Sequence, residues 1–236
     1  MANDKLFHKR KAAAAATKKS LARRNPNRNP RKRALIVCED SVSAPAYFKK
    51  LIGYLQLNTI DVQICGESES APISVVRFGE AYLQQDKDFE YIFFVFDRDM
   101  HDSYGAALEK IHGLQKRKEY RSRSVRIQAI TSVPCFELWL FLHYKNSSKP
   151  WSSTQRHSPA SCLIAELRKL GPPFKDYRKD RGCAYFDAIK DKLHVAIKHA
   201  EALLENSNYE EDTHYINPST RVHQLVKTLQ EIAASY

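Results

Sequence analysis

Tyr91-Ile92-Phe93-Phe94-Val95-Phe96-Asp97-Arg98-Asp99 is the stretch whose reading decides the fold of this chain. Its apolar run, rich in aromatic and β-branched residues, reads as a parallel strand buried on both faces. The run ends in Asp-x-Asp. Ala34-Leu35-Ile36-Val37-Cys38-Glu39 repeats the pattern upstream, an apolar strand closed by a carboxylate. Open α/β sheets place their sites beyond the carboxyl ends of the strands, so Glu39, Asp97 and Asp99 should emerge together there. One Glu and an Asp-x-Asp are hard oxygen donors suited to Mg²⁺ or Mn²⁺.

Working outward, strands are expected at 34–38, 60–65, 91–96 and 124–130, with helices at about 44–57, 72–86 and 104–118 between them. This alternation specifies an α/β domain with a mostly parallel sheet flanked by helices. Pro45 and Pro72 suit first helical turns. Beyond Pro134 the strands stop in this reading, and helices follow at 134–143, 160–170, 184–205 and 218–234. Phe136 to Leu142 is too apolar for a surface helix and should pack against the sheet edge. The organisation is thus a basic tail over 1–33, an α/β core over 34–132 and a C-terminal helical region over 133–236 packed on the core.

The 236 residues carry 38 Lys and Arg against 27 Asp and Glu, a net +11. Twelve of those bases and one of the acids lie in residues 1–33, so the remainder is balanced at 26 of each. With its Ala12 to Ala16 run and two Asn-Pro pairs, the tail reads as a disordered extension that grips phosphates, or as a solubilising one. There is no membrane-length apolar stretch, no secretory signal and no Cys-x-x-Cys among the five cysteines, which reads as a reduced cytoplasmic protein. No Gly-x-Ser-x-Gly elbow, Walker loop or Gly-x-Gly-x-x-Gly is present, so serine hydrolysis and nucleotide hydrolysis find no motif.

Asp97 and Asp99 alternate along an extended backbone, which puts both on one side to approach a single cation. Glu39, on a neighbouring strand, is placed to share that cation or to act as a base, and two such cations would serve phosphodiester hydrolysis. The plainer alternative is that Asp97 or Asp102 caps the helix beginning near Tyr104. Glu137, in an apolar helix, needs a partner, either a basic group such as Arg221 or a neighbour in the metal site, or else it opens the helix at its first turn, where the dipole favours acids. Lys116, Arg117, Lys118, Arg121, Arg123 and Arg126 form a second basic stretch, read as a phosphate-backbone contact beside the metal site or as a solvated face. The loop from Pro172 to Gly182 offers Phe174 and Tyr177 either for stacking on unpaired bases or for the core. His101 is a weak candidate acid or ligand, and His194 and His199 share a helix face too poorly for a zinc pair.

Five stretches carry a resemblance to known proteins: Leu35-Ile36-Val37-Cys38-Glu39, Pro45-Ala46-Tyr47-Phe48, Val95-Phe96-Asp97-Arg98-Asp99, Pro134-Cys135-Phe136-Glu137-Leu138-Trp139-Leu140 and Asn217-Pro218-Ser219-Thr220-Arg221-Val222-His223. The combination is similar to the Toprim fold of topoisomerases, DnaG-type primases and OLD-family nucleases. More closely it resembles the RloB-like family of phage-defence proteins, related to the AbiL abortive-infection system. The resemblance implies that Glu39, Asp97 and Asp99 bind Mg²⁺ or Mn²⁺ and are catalytic. It places Glu137, Asn217 and Arg221 in family motifs as supporting residues and matches Lys179 to a family lysine that would stabilise a scissile phosphate. Two departures stand out: Asp40 where the family usually has Gly, and Ser43-Ala44 where it tends to carry Thr-Glu. The implied function is a metal-dependent endonuclease acting on DNA or RNA in abortive infection, controlled by an SMC/ABC-like ATPase. The alternative is a non-catalytic nucleic-acid-binding or toxin subunit docked on that ATPase.

Overall fold

β1 (Ala34–Cys38), β2 (Ile60–Ile64), β3 (Tyr91–Asp97) and β4 (Arg126–Val133) form a parallel sheet of order β2-β1-β3-β4 in the computed structural model of this chain. The described residues are 32–39, 42–64, 71–98, 101–205 and 213–235; the expectations for the tail up to residue 31 and for Asp99 lie outside them. Strand side chains alternate as the period of two demands. Ala34, Ile36, Cys38, Tyr91, Phe93, Val95 and Ile130 enter one core, and Leu35, Val37, Ile92, Phe94, Phe96 and Ile127 enter the other.

Helix α1 (Ser43–Tyr54) buries Tyr47, Phe48 and Leu51 in the first core, whereas α2 (Pro72–Gln85) and α3 (Tyr104–Lys116) bury Val75, Val76, Leu83, Ala107 and Ile111 in the second. The chain therefore leaves β1 over one face and reaches β3 over the other. That reversal makes the space beyond Cys38 and Asp97 a topological switch point, where doubly wound sheets open a crevice.

The first core continues without a break through α5 (Glu137–Leu142), α6 (Pro159–Lys169), α7 (Gly182–Ile189), α8 (Leu193–Glu205) and α9 (Val222–Ala234). α5 is buried along its whole length; it touches β4 and is covered by α6 and α8. Among the described residues no helix is long and apolar enough to cross a membrane.

Several expected boundaries are corrected. Strands do not stop at Pro134, because β5 (Ser219–Thr220) pairs antiparallel with Ser132 and Val133. β4 runs from 126 to 133 rather than 124 to 130: Ser124 turns with positive φ, and polar Thr131 and Ser132, which disguised the strand, pair with β3 and bond His214 and Thr220. The helix expected over 104–118 breaks at extended Arg117, leaving the short α4 (Lys118–Arg121). The 184–205 helix is divided by a 3₁₀ turn at Lys190–Lys192, and the last helix starts at Val222.

Gly79 brings α2 close to the sheet. A Cβ there would overlap Phe94 Cε1 and stand 3.1 Å from Val37 Cγ2. Alanine ordinarily favours a helix over glycine by about 1 kcal/mol, but overpacking costs about 1–3 kcal/mol. Gly79→Ala is therefore expected to lower the thermal midpoint, and a raised midpoint would show that the ring moves aside freely.

His143 adds a pH dependence. Its Nδ1 donates to Trp139 O at 2.9 Å, its Nε2 has no partner, and the ring is buried. Burial holds its pKa down from 6.5 to about 4, so on acidification the unfolded chain takes the proton first. Stability is full above pH 6.5 and falls as the pH approaches 4, by about 3 kcal/mol for a shift of this size. Burial depresses His223 in the same direction. The urea midpoint should fall between pH 7 and pH 5, and His143→Leu should flatten that fall. Equal slopes in parent and variant would rule the account out.

Candidate metal centre

Glu39 follows β1 and remains locked to β3. Its N–H donates to Val95 O at 3.1 Å, and its Oε2 accepts the Asp97 backbone N–H at 3.1 Å. The side chain thus occupies the place a next ladder partner would take, and both carboxylates are partly exposed at the sheet's carboxyl edge. Asp97 shares strand parity with Phe93 and Val95, so it points toward the first core's side. There it meets residues delivered by β4, whose register sets Asp97 opposite Ser132. Three residues beyond Ser132 comes Cys135, and then Glu137. Ligand atoms of Asp97, Cys135 and Glu137 lie within 4.8 Å of one another.

Glu137 is completely buried. Its Oε1 accepts from Tyr177 OH at 2.8 Å and Ser43 Oγ at 3.1 Å, and lies 3.7 Å from Lys179 Nζ. Its Oε2 accepts no hydrogen bond. Burial pushes the Tyr177 hydroxyl far up its range, so it remains a donor. Burial, reinforced by the charges of Glu137 and Asp97, likewise raises the Cys135 thiol. Two carboxylates, one of them with an orphaned oxygen, and a sulfur fit a divalent cation, with Lys179 half exposed at the rim.

Glu137 has the basic partner expected of it, but that partner is Lys179, joined by Tyr177 and Ser43, and not Arg221, which donates through Nε to His214 at 3.0 Å and through Nη2 to Thr213. Asn217 brackets the Trp151 backbone, accepting from its N–H at 3.1 Å and donating to its O at 2.7 Å. Through these bonds both residues fix the 213–221 segment beside β4. With Arg98, Tyr104, Trp151 and Tyr215, Asn217 lines a neighbouring cavity of about 490 Å³. The helix-cap alternative for Asp97 or Asp102 is not realised, since Ser103 occupies the N-cap of α3 and no side chain caps it.

Lys116, Arg117, Lys118, Arg121, Arg123 and Arg126 are exposed, but not beside the metal centre. Arg126 pairs in register with Tyr91, at the start of β3, while Asp97 ends it. Seven extended residues put about 20 Å between the two ends. Arg117 bonds Glu80, and Arg126 lies over the Tyr91 ring. Phe174 and Tyr177 are fully buried, which removes the base-stacking reading of their loop. His101 is exposed. His199 donates through Nδ1 to Leu142 O at 2.8 Å, and His194 on the same helix is exposed.

Sequence reasoning missed Cys135, Ser43 and Tyr177 as members of this cluster. A signal was available for Cys135, because it and Glu137 follow a strand end just as Glu39 does; ending β4 three residues early concealed it.

No curated protein and no solved structure matches the chain. A family model described as RloB-like protein matches residues 34–229, which takes in the whole sheet, the cluster and most of α9, and the chain therefore belongs to the RloB-like family.

Proposed function

We propose that this chain is a Toprim-like, divalent-cation-dependent endonuclease of a phage-defence system, with Glu39, Asp97 and Asp99 as its catalytic carboxylates. The observation that carries the reading is the bond from the Asp97 N–H to Glu39 Oε2, which brings the ends of β1 and β3 together at the switch point. When bound, Mg²⁺ or Mn²⁺ supplies charge neutralisation at the phosphate and a more acidic water. The chain's own part is to fix Glu39 against β3, where it accepts the water's proton, and to hold Lys179 at the rim to face the scissile phosphate. Burial around Glu137 keeps bulk water from that side.

The substrate in this reading is DNA or RNA, and an SMC/ABC-like ATPase is the controlling partner, a reading that rests on the resemblance of the motifs. The six bases at the opposite sheet end would then form a separate contact surface, away from the cut.

The test is a cleavage assay on labelled DNA and total cellular RNA with Mg²⁺, Mn²⁺ or EDTA, with and without the ATPase, comparing parent with Glu39→Ala. Cutting that needs the cation and disappears in the variant is the expected result. Metal-insensitive binding that is lost on deleting residues 1–33, with no cutting under any condition, would replace this reading with the binding subunit.

A further inference from the structure

We infer that Asp97, Cys135 and Glu137 form a cation site with a thiolate ligand, which takes a thiophilic divalent ion such as Zn²⁺ or Cd²⁺ in preference to Mg²⁺. The inference rests on the preceding reading only in sharing Asp97, and it requires no cleavage.

The first observation is geometric. The three ligand atoms lie within 4.8 Å of one another. Zinc holds its sulfur and oxygen ligands at about 2.0–2.3 Å, which sets tetrahedral donors roughly 3.5 Å apart, so small rotamer adjustments close the site.

The second observation is independent of proximity. Glu137 is fully buried and its Oε2 accepts no hydrogen bond, although three donors converge on Oε1. An orphaned buried acceptor is costly, and a cation is the species that relieves it beside another carboxylate. Ser43, Tyr177 and Lys179 meanwhile orient the carboxylate, as outer groups do around metal ligands.

As the sulfur–cation bond forms, the thiol gives its proton to water. Sulfur makes the choice of ion, since thiolate favours Zn²⁺ and Cd²⁺ whereas Mg²⁺ keeps to oxygen and its own waters.

The test titrates the full chain with CdCl₂ and follows the ultraviolet thiolate-to-cadmium charge-transfer band. One equivalent should saturate it, and a large excess of Mg²⁺ should leave it in place. Cys135→Ser should abolish the band. Glu137→Gln, which keeps all five cysteines, should weaken binding by at least tenfold. Tyr177→Phe should weaken it by about 10–100-fold. A band unchanged in either Cys135→Ser or Glu137→Gln, each checked for folding by circular dichroism, would overturn the inference, as would ready displacement by Mg²⁺. Mg²⁺-dependent cleavage by a parent that shows no band would sink this site and leave the nuclease reading intact. A band with no cleavage in any cation would do the reverse.

Discussion

Asp97→Asn is expected to reduce cation-dependent cleavage on the order of 1,000-fold or more, equivalent to about 4 kcal/mol of barrier. The substitution keeps shape and removes charge. Asp97 closes β3 opposite Ser132, and its backbone N–H, the one bonded to Glu39, survives the change. Its side chain is only partly buried, so the thermal midpoint should move by no more than about 4 °C. Glu39→Gln should behave in the same way, because the amide oxygen can still accept the Asp97 N–H. The contrast is Arg121→Ala with Arg123→Ala, which lie at the other end of the sheet and should leave the rate of cutting at bound substrate unchanged. Single-turnover rates on saturating substrate measure all of these. Parental rates for Asp97→Asn would remove Asp97 from catalysis.

Trp139→Ala should cost about 3–5 kcal/mol of stability, the range for truncating a large buried aromatic side chain. Trp139 is 0% exposed on α5, with Tyr47 of α1 edge-on at 6.3 Å between ring centroids and His143 at 5.0 Å. It lies in the core that also contains Ile36, Phe93 and Leu225, so strands β1 and β3 and helix α9 should loosen together. Urea unfolding followed by circular dichroism and by fluorescence of the remaining Trp151 should show one shifted transition in both signals. A transition that splits, with the sheet keeping its parental midpoint, would show that the helices fold as a separate unit.

Much of the α/β layout was legible because burial on both faces writes itself into sequence as uninterrupted apolar runs. Ile92 to Phe96 has no other economical reading, and its carboxylate terminus marks the strand's end. Polar strand residues erase that signal: Thr131 and Ser132 are buried yet satisfied by His214 and Thr220, so β4 looked shorter than it is. The two-residue β5 carries too little sequence for any periodicity. The location of the basic stretch was available from topology, since in parallel strands the connection that follows a helix returns to the amino end. Its charge drew attention away from its place in the order.

Sequence by itself determined the alternating strands and helices, the pairing of a Glu with an Asp at two strand ends, and the separation of a basic tail from a charge-balanced remainder. Only the tertiary structure decided who stands around Asp97. The Ser43 to Glu137 bond spans 94 residues and the Tyr177 to Glu137 bond 40, and neither distance leaves a periodic trace. Apolar patterning reports which side of an element is buried, but a polar cluster depends on which side chains meet after burial. That meeting is fixed by strand order and register, and here it set a cysteine and a buried glutamate beside the aspartate.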